Sequence, residues 1–451
     1  MHKTTVSRLT LPMILLLTAG LLATAVLIPA ARAETIAVNT TDDEVNADGD
    51  CSLREAVLAA NGDVAVDACS AGNGEDVISL PPGLYALTAG GAGEDNGQTG
   101  DLDLTADVSI NGAGMGNTIV DGNGGDRIFD VHNEARVTIS GVTVQNGSAD
   151  SGGGVTVGGA LTLHSSRVTD NVAENVGGGI FAGGTVTVTQ SRIDGNQANA
   201  GGGVFVNFLP VTIERSEVSG NTVDGGGGGI YSSGTLVVVN STLSGNSAGG
   251  DGGGLYAVES PDNHLYNVTI SANAAGTAGG QTGDGGGVRA LGGVYAANTI
   301  VAGNSDNSGG GDQHPDCSGT LNSNGYNLVG NVTGCTVSGD NTGNQVGVDP
   351  LLGPLQNNGG STLTHALLAG SPAVDGGNPG GCRDHDGVLL ATDQRSFDRP
   401  GNGSSLCDIG AYEAGSPPPP TATPTSTPVV TPTATATPPG DNWQYLPAIH
   451  R

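Results

Sequence analysis

The chain has one lysine, Lys3, and one tryptophan, Trp443, among 451 residues. Aromatic residues together make up 3%, so a conventional globular core would lack its largest side chains. Cationic residues are scarce: 14 Lys and Arg stand against 44 Asp and Glu, for a formal net charge of −30 at pH 7. Such a surface repels phosphate backbones and anionic membranes, which argues against nucleic acid and such membranes as partners and favours cations. Beyond the first thirty residues no apolar run is long enough to cross a bilayer as a helix. No two cysteines have the close spacing of a zinc knuckle. A single segment, "CSLREAVLAANG" (Cys51–Gly62), reads clearly as helix.

What is present is glycine, 80 residues of it, with Val, Thr, Ser, Asn and Asp. Residues 1–33 read as a signal peptide: His2, Lys3 and Arg8 are basic, Leu11–Pro29 is apolar, and Ala31-Arg32-Ala33 is a small-x-small cleavage site. Pro12 and Gly20 argue against an uncleaved anchor. Removal of this segment leaves a mature chain without lysine. Six cysteines in an exported chain imply disulfides. They fall as three local couples, and neighbour pairing is expected: Cys51–Cys69, Cys317–Cys335 and Cys382–Cys407.

The middle of the chain repeats. "GALTLHSSRVTDN", "GTVTVTQSRIDGN", "LPVTIERSEVSGN" and "GTLVVVNSTLSGN" align without gaps. Leu161, Val186, Val211 and Leu236 hold one phase, and Asn171, Asn196, Asn221 and Asn246 another, each 25 residues on. Apolar residues alternate in three short pieces per copy, which is strand periodicity. Glycine runs such as Gly177–Gly179 separate the copies. The expected fold is all-β: a right-handed parallel β-helix of about 25 residues per coil, each coil burying its apolar face against the next. The four asparagines should stack as an amide ladder, and Ser166, Ser191, Ser216 and Ser241 as a hydroxyl column.

A solenoid has open ends, and open ends offer unpaired strand edges. Ser52 and Glu55 form a capping box. Leu53, Ala56, Val57 and Ala60 make an apolar stripe, with Asn61-Gly62 as the stop. This helix is expected to lie across the N-terminal end as a lid, stapled by Cys51–Cys69.

"CSLREAVLAAN" resembles the signature of CSLREA-domain secreted proteins. "DPLLGPLQNNGGSTLTHALLAGSPAVDGG", "DQRSFDRP" and "CDIGAYE" resemble the choice-of-anchor Q module, with Ser396 standing where that resemblance leads one to expect Gly. The glycine-run and "SGN" repeats are similar to those of polymorphic outer-membrane proteins. The resemblance implies an exported right-handed β-helix at the cell surface or outside the cell, often with an anchoring device, and supplies no catalytic residues. The expected organisation is a signal peptide (1–33), an N-terminal cap (34–75), the β-helix (76–311), C-terminal coils and cap (312–414), a Pro/Thr-rich linker (415–440) and a tail (441–451) that could attach the protein to the surface.

For chemistry, a lysine base is absent from the mature chain and no Gly-His-Gly completes a hydrolase set. Arg167 and Arg192, beside Asp194, Glu214 and Glu217, read as a solvated ion-pair ladder, and Asp384–Asp386 as a stapled turn. Glu44, Asn46, Asp48, Asp50, Ser52 and Glu55 have the spacing of a calcium loop, which makes calcium the one candidate cofactor. Phe181, Phe205, Tyr231 and Tyr256 share one outward phase. They are expected either to stiffen the sheet or to form a flat strip on which sugar rings stack. The expected function is therefore non-catalytic binding of a polysaccharide or cell-envelope glycan, or adhesion. The alternatives are a polysaccharide lyase or glycoside hydrolase, and a structural coat protein.

Overall fold

The computed structural model describes residues 34–91, 93–258, 262–278, 282–309, 313–401 and 403–418. The expected signal peptide, all but the start of the linker, and the tail with Trp443 lie outside them. The described chain is a parallel β-solenoid. One coil runs Ile180–Ala182, Thr185–Thr189, Arg192–Asp194 and Gln197–Ala198. Each piece pairs in parallel with its equivalents one coil away, so Val186 faces Leu161 below and Val211 above. A coil thus has four short strands where the alternation marks three; the fourth follows the asparagine turn and is too short and polar to show a period. The first and second strands of each coil stack into one 19-stranded sheet, the third into an 11-stranded sheet and the fourth into a 7-stranded sheet.

The aliphatic columns point inward. Val186, Val188 and Ile193, with their neighbours one coil away, are fully buried, because each coil alone leaves one side of its core open. Between these columns run the two polar ladders. The Asn221 Oδ1 accepts from the backbone N–H and the Nδ2 of Asn196, both at 3.0 Å, while its own Nδ2 donates to the Ile193 carbonyl and to Asn246 Oδ1, both at 2.9 Å. The ladder extends beyond the four expected residues through Asn273 and Asn304, and ends on the buried carboxylate of Asp316. In the serine column the hydroxyls of Ser191, Ser216 and Ser241 each accept the backbone N–H of the preceding serine, and that of Ser166 accepts Val142 N–H.

The lid forms as α1, Leu53–Gly62. The Ser52 hydroxyl accepts from Glu55 N–H, and the Glu55 carboxylate accepts from Ser52 N–H. Its stop differs from expectation: Asn61 and Gly62 lie inside the helix, and Asp63, at φ +50°, ends it. Asn61 instead reaches the first coils, donating to the Asp103 carbonyl. Arg54, one helix position past the apolar Leu53, is also fully buried. Its guanidinium forks onto Asp43 at 2.7 and 3.2 Å and donates to the carbonyls of Gly97, Gly100 and Asp101. No described helix is long and apolar enough to cross a membrane.

All three disulfides pair locally: Cys51–Cys69, Cys317–Cys335 and Cys382–Cys407. The C-terminal region departs from expectation. Coils continue to Val346, but the chain beyond does not cap the end. It turns back along the third face of the solenoid. There Ser396 meets Gln190, Leu363 N–H meets Glu217, Gln394 meets Thr242, His365 meets Ser244, and Arg399 meets Asn267. A small second core, Ile300, Ala302, Leu328, Ala373 and Ile409, joins the two. Glu217 is therefore buried between Arg192 and this segment, while Arg167, Arg192 and Glu214 of the same ladder stay partly exposed. Ser396 has φ +69°, a left-handed backbone that suits glycine.

Candidate functional site

The outward residues of the first strand in each coil form a continuous column. From the lid upward it reads Asp103, Asp130, Thr156, Phe181, Phe205, Tyr231, Tyr256, Arg289 and Ser318. The four aromatic residues are neighbours, as their phase requires. Their ring planes, however, lie against one another rather than flat on the sheet. Centroids are 5.8 Å apart for Phe181 and Phe205 and 4.7 Å for Phe205 and Tyr231, with interplanar angles of 19° and 9°. Tyr231 and Tyr256 meet edge to face. Sugar rings stack on aromatic faces, and both faces of Phe205 are taken by its neighbours. The expected flat strip is thus corrected to a rib that presents ring edges. It packs on the glycine turns: a Cβ on Gly226 would come 2.4 Å from Tyr256 Cδ1, and one on Gly252, at φ +65°, 2.6 Å from Tyr256 Cβ. Glycine there makes room for the rib.

The concave feature lies beside the lower end of this column. A cleft of about 490 Å³ is lined by Asp101, Asp126, Asp130, Asp150 and Glu174, with Arg127 as its one cation. Arg127 Nη1 bridges Asp101 Oδ2 at 2.8 Å and Asp130 Oδ2 at 2.6 Å. Glu174 also lines the next hollow, of about 200 Å³, which continues over the fourth face along Gln197, Asn199, Thr222 and Asp224. The two make one open groove parallel to the solenoid axis. From the coil of Asp103 to that of Phe205, whose fourth strand is Thr222–Val223, there are four steps, or about 19 Å at about 4.8 Å per step. Sequence reading missed the groove because its acids come from the irregular lower coils. Carrying the repeat phase down through "FDV" (Phe129–Val131) and "LDL" (Leu102–Leu104) would have put Asp103 and Asp130 in line with Phe181.

Burial pushes the Asp101 carboxyl up to about 7, against the opposing pull of Arg127, and raises Asp130 in the same way. Burial also takes Glu413, beneath the C-terminal segment, up to about 6. The folded protein therefore holds protons that the unfolded chain has released. The part of the stability that these groups contribute is fullest below about pH 4 and is lost as pH rises through 6 and 7. The melting temperature should fall by several degrees between pH 4.5 and 7.5, and Asp101→Asn should flatten that slope. An unchanged slope in the variant would show that Asp101 is not the group responsible.

Among the described residues, three groupings of carboxylates and histidines could hold a cation on geometry: Asp103, Asp130 and His132; Asp284, Asp306 and His314; and Glu44, Asp48 and Asp50. In the first, Asp103 is already bonded to Gly97 N–H and His132. In the second, both Asp306 oxygens accept backbone N–H groups. The third contains three of the six residues read as a calcium loop. The other three have different duties. Asn46 Nδ2 donates to Glu44, the Ser52 hydroxyl donates to the Glu44 carbonyl, and both Glu55 oxygens accept backbone N–H groups, from Asn46 and Ser52. The capping box thus engages Glu55, the residue that would be the bidentate twelfth ligand, in backbone hydrogen bonds. Burial and the neighbouring carboxylates raise the pKa values of Glu44 and Asp50. Asp384–Asp386 is a turn, with Asp384 Oδ1 accepting from Asp386 and Val388 N–H.

No family model and no curated protein matches the chain. Among solved structures it is similar to the crystal structure of pectate lyase Pel9A, with 16% identity and a TM-score of 0.45 over 85% of this chain and 97% of that one. It is also similar to XylC in complex with xylose, with 12% identity and a TM-score of 0.36 over 75% of this chain and 66% of that one. Likeness at this level concerns the fold alone.

Proposed function

We propose that this is an exported, surface-associated β-helix that holds an uncharged polysaccharide chain in the axial groove without cutting it. The observation that carries the reading is the groove's form: straight, open at the surface and lined by carboxylates and amides over several coils. Sugar hydroxyls donate to carboxylates, and a repeating polymer suits a repeating wall. The −30 charge disfavours polyanions as ligands. A hydrolytic reading draws support from the Asp101–Asp130 pair, since glycoside hydrolysis uses two carboxyl groups. Against it, Arg127 occupies the space between the two, where a glycosidic oxygen would have to sit.

Affinity electrophoresis of the mature protein against neutral and acidic polysaccharides, with product analysis of the same mixtures, tests both readings. Retardation by at least one neutral polymer, lost in Asp150→Asn/Glu174→Gln, is expected. New reducing or unsaturated ends would overturn the non-catalytic reading, and retardation unchanged in the variant would remove the groove from it.

A further inference from the structure

The two ends of the solenoid are finished differently. At the N-terminal end α1 covers the core and the outermost strand is only three residues long, Thr35–Ala37. At the other end the last coil meets the returning segment on its outer flank, where Gln345 Nε2 donates to the Pro372 carbonyl at 2.8 Å, and has no strand stacked beyond it among the described residues. Strand Cys335–Asp340 pairs with Cys317–Asn324 on one side and, among the described residues, with nothing on the other. Strand Gln345–Val346 pairs with Leu328–Val329 alone in the same sense. The core column ends here in a shallow hollow of about 360 Å³ lined by Val332, Cys335, Val337, Asn341, Asn344 and Val346. Val332 and Val346 are 38% and 50% exposed. The segment that could have closed this end lies along the flank instead.

We infer that this end is the docking surface for a second copy of the same chain, joined end to end about a twofold axis. Three observations select that occupant. Unpaired parallel edges accept another strand through backbone hydrogen bonds, and the apolar hollow offers a face to bury. The closed N-terminal end denies a head-to-tail stack, so a pairing of like chains must use the C-terminal end of both, which is an isologous contact. Charge points the same way. Two chains of −30 repel over most of their surface, yet residues 331–347 carry one charged side chain, Asp340. Cys317–Cys335 staples the last two strands of the first sheet together, which keeps the docking edge from fraying. The inference is independent of the groove, which lies near the opposite end.

Sedimentation velocity of the mature chain over a hundredfold range of concentration tests it. A reversible dimer is expected in the wild type. Val332→Asp/Val346→Asp is expected to sediment as a monomer with the wild-type melting temperature, since both residues are exposed. Asn341→Cys should cross-link to its twin, whereas Val64→Cys, beside the lid, should not. A monomer at every concentration, a dimer that survives the double variant, or oligomers that grow without limit would overturn the inference. So would a monomer whose amides in Cys335–Asp340 resist hydrogen exchange, because another part of the chain would then occupy the edge.

Discussion

Arg54→Ala should cost about 3–5 kcal/mol at the N-terminal end, the range for removing one partner of a buried ion pair. The substitution strips Asp43 of its counter-ion, although the Asp43 carboxylate is still held by the N–H groups of Thr88 and Ala89. It also leaves the buried carbonyls of Gly97, Gly100 and Asp101 without their donor. In a solenoid each coil rests on its neighbours, so the loss should appear as an early transition of the first coils rather than a uniform shift. Arg54→Lys should recover part of the loss, because an ammonium restores the charge but not the planar fork. Calorimetry, with hydrogen exchange over Thr35–Asn111, measures both effects. Once the lid is loose, the first coil presents free edges and an apolar column, and self-association should follow. Unaltered melting and protection would mean that the arginine is not what seats the lid.

The second large effect is expected inside the ladder. Asn221→Leu removes an acceptor shared by two donors of Asn196, the donor to the Ile193 carbonyl, and one of the donors to Asn246. All of these groups are buried away from water. At about 1–3 kcal/mol for each orphaned group, and with incomplete additivity, the loss should reach about 3–5 kcal/mol. Asn171→Leu, at the lower end of the ladder, should cost less, because no asparagine lies below it; its Oδ1 accepts only the Gly147 N–H. Thr212→Ala, on the outward face of the same coil, should stay within about 0.5 kcal/mol. Urea unfolding of the three variants ranks them. If Asn221→Leu cost no more than Thr212→Ala, the stacked amides would be ornamental, and the aliphatic columns alone would hold the coils.

Both predictions begin in features of the sequence that are legible to different degrees. The stacking of Asn171, Asn196, Asn221 and Asn246 follows from a 25-residue spacing, because a solenoid converts equal spacing into vertical contact. The alternation of Val186, Thr187 and Val188 gives the inward face for the same reason, and the capping box gives α1. Local disulfides follow from cysteines that sit in short couples along the sequence. These are statements about near neighbours in a one-dimensional array, which is why sequence by itself determined them. What it did not determine are contacts across long separations with no repeat to carry them. The burial of Arg54 depends on where Asp43 and the carbonyls near Gly100 come to rest. The groove depends on carboxylates from coils of unequal length meeting at one corner. The orientation of Phe205 depends on the stack of rings around it, since phase fixes the direction of a side chain but not the plane of its ring. The path of the chain beyond Val346 depends on whether the third face or the open end offers it more partners: Gln190, Glu217, Thr242, Ser244 and Asn267 supply those partners along the flank, and only the tertiary structure decided that the end would be left free.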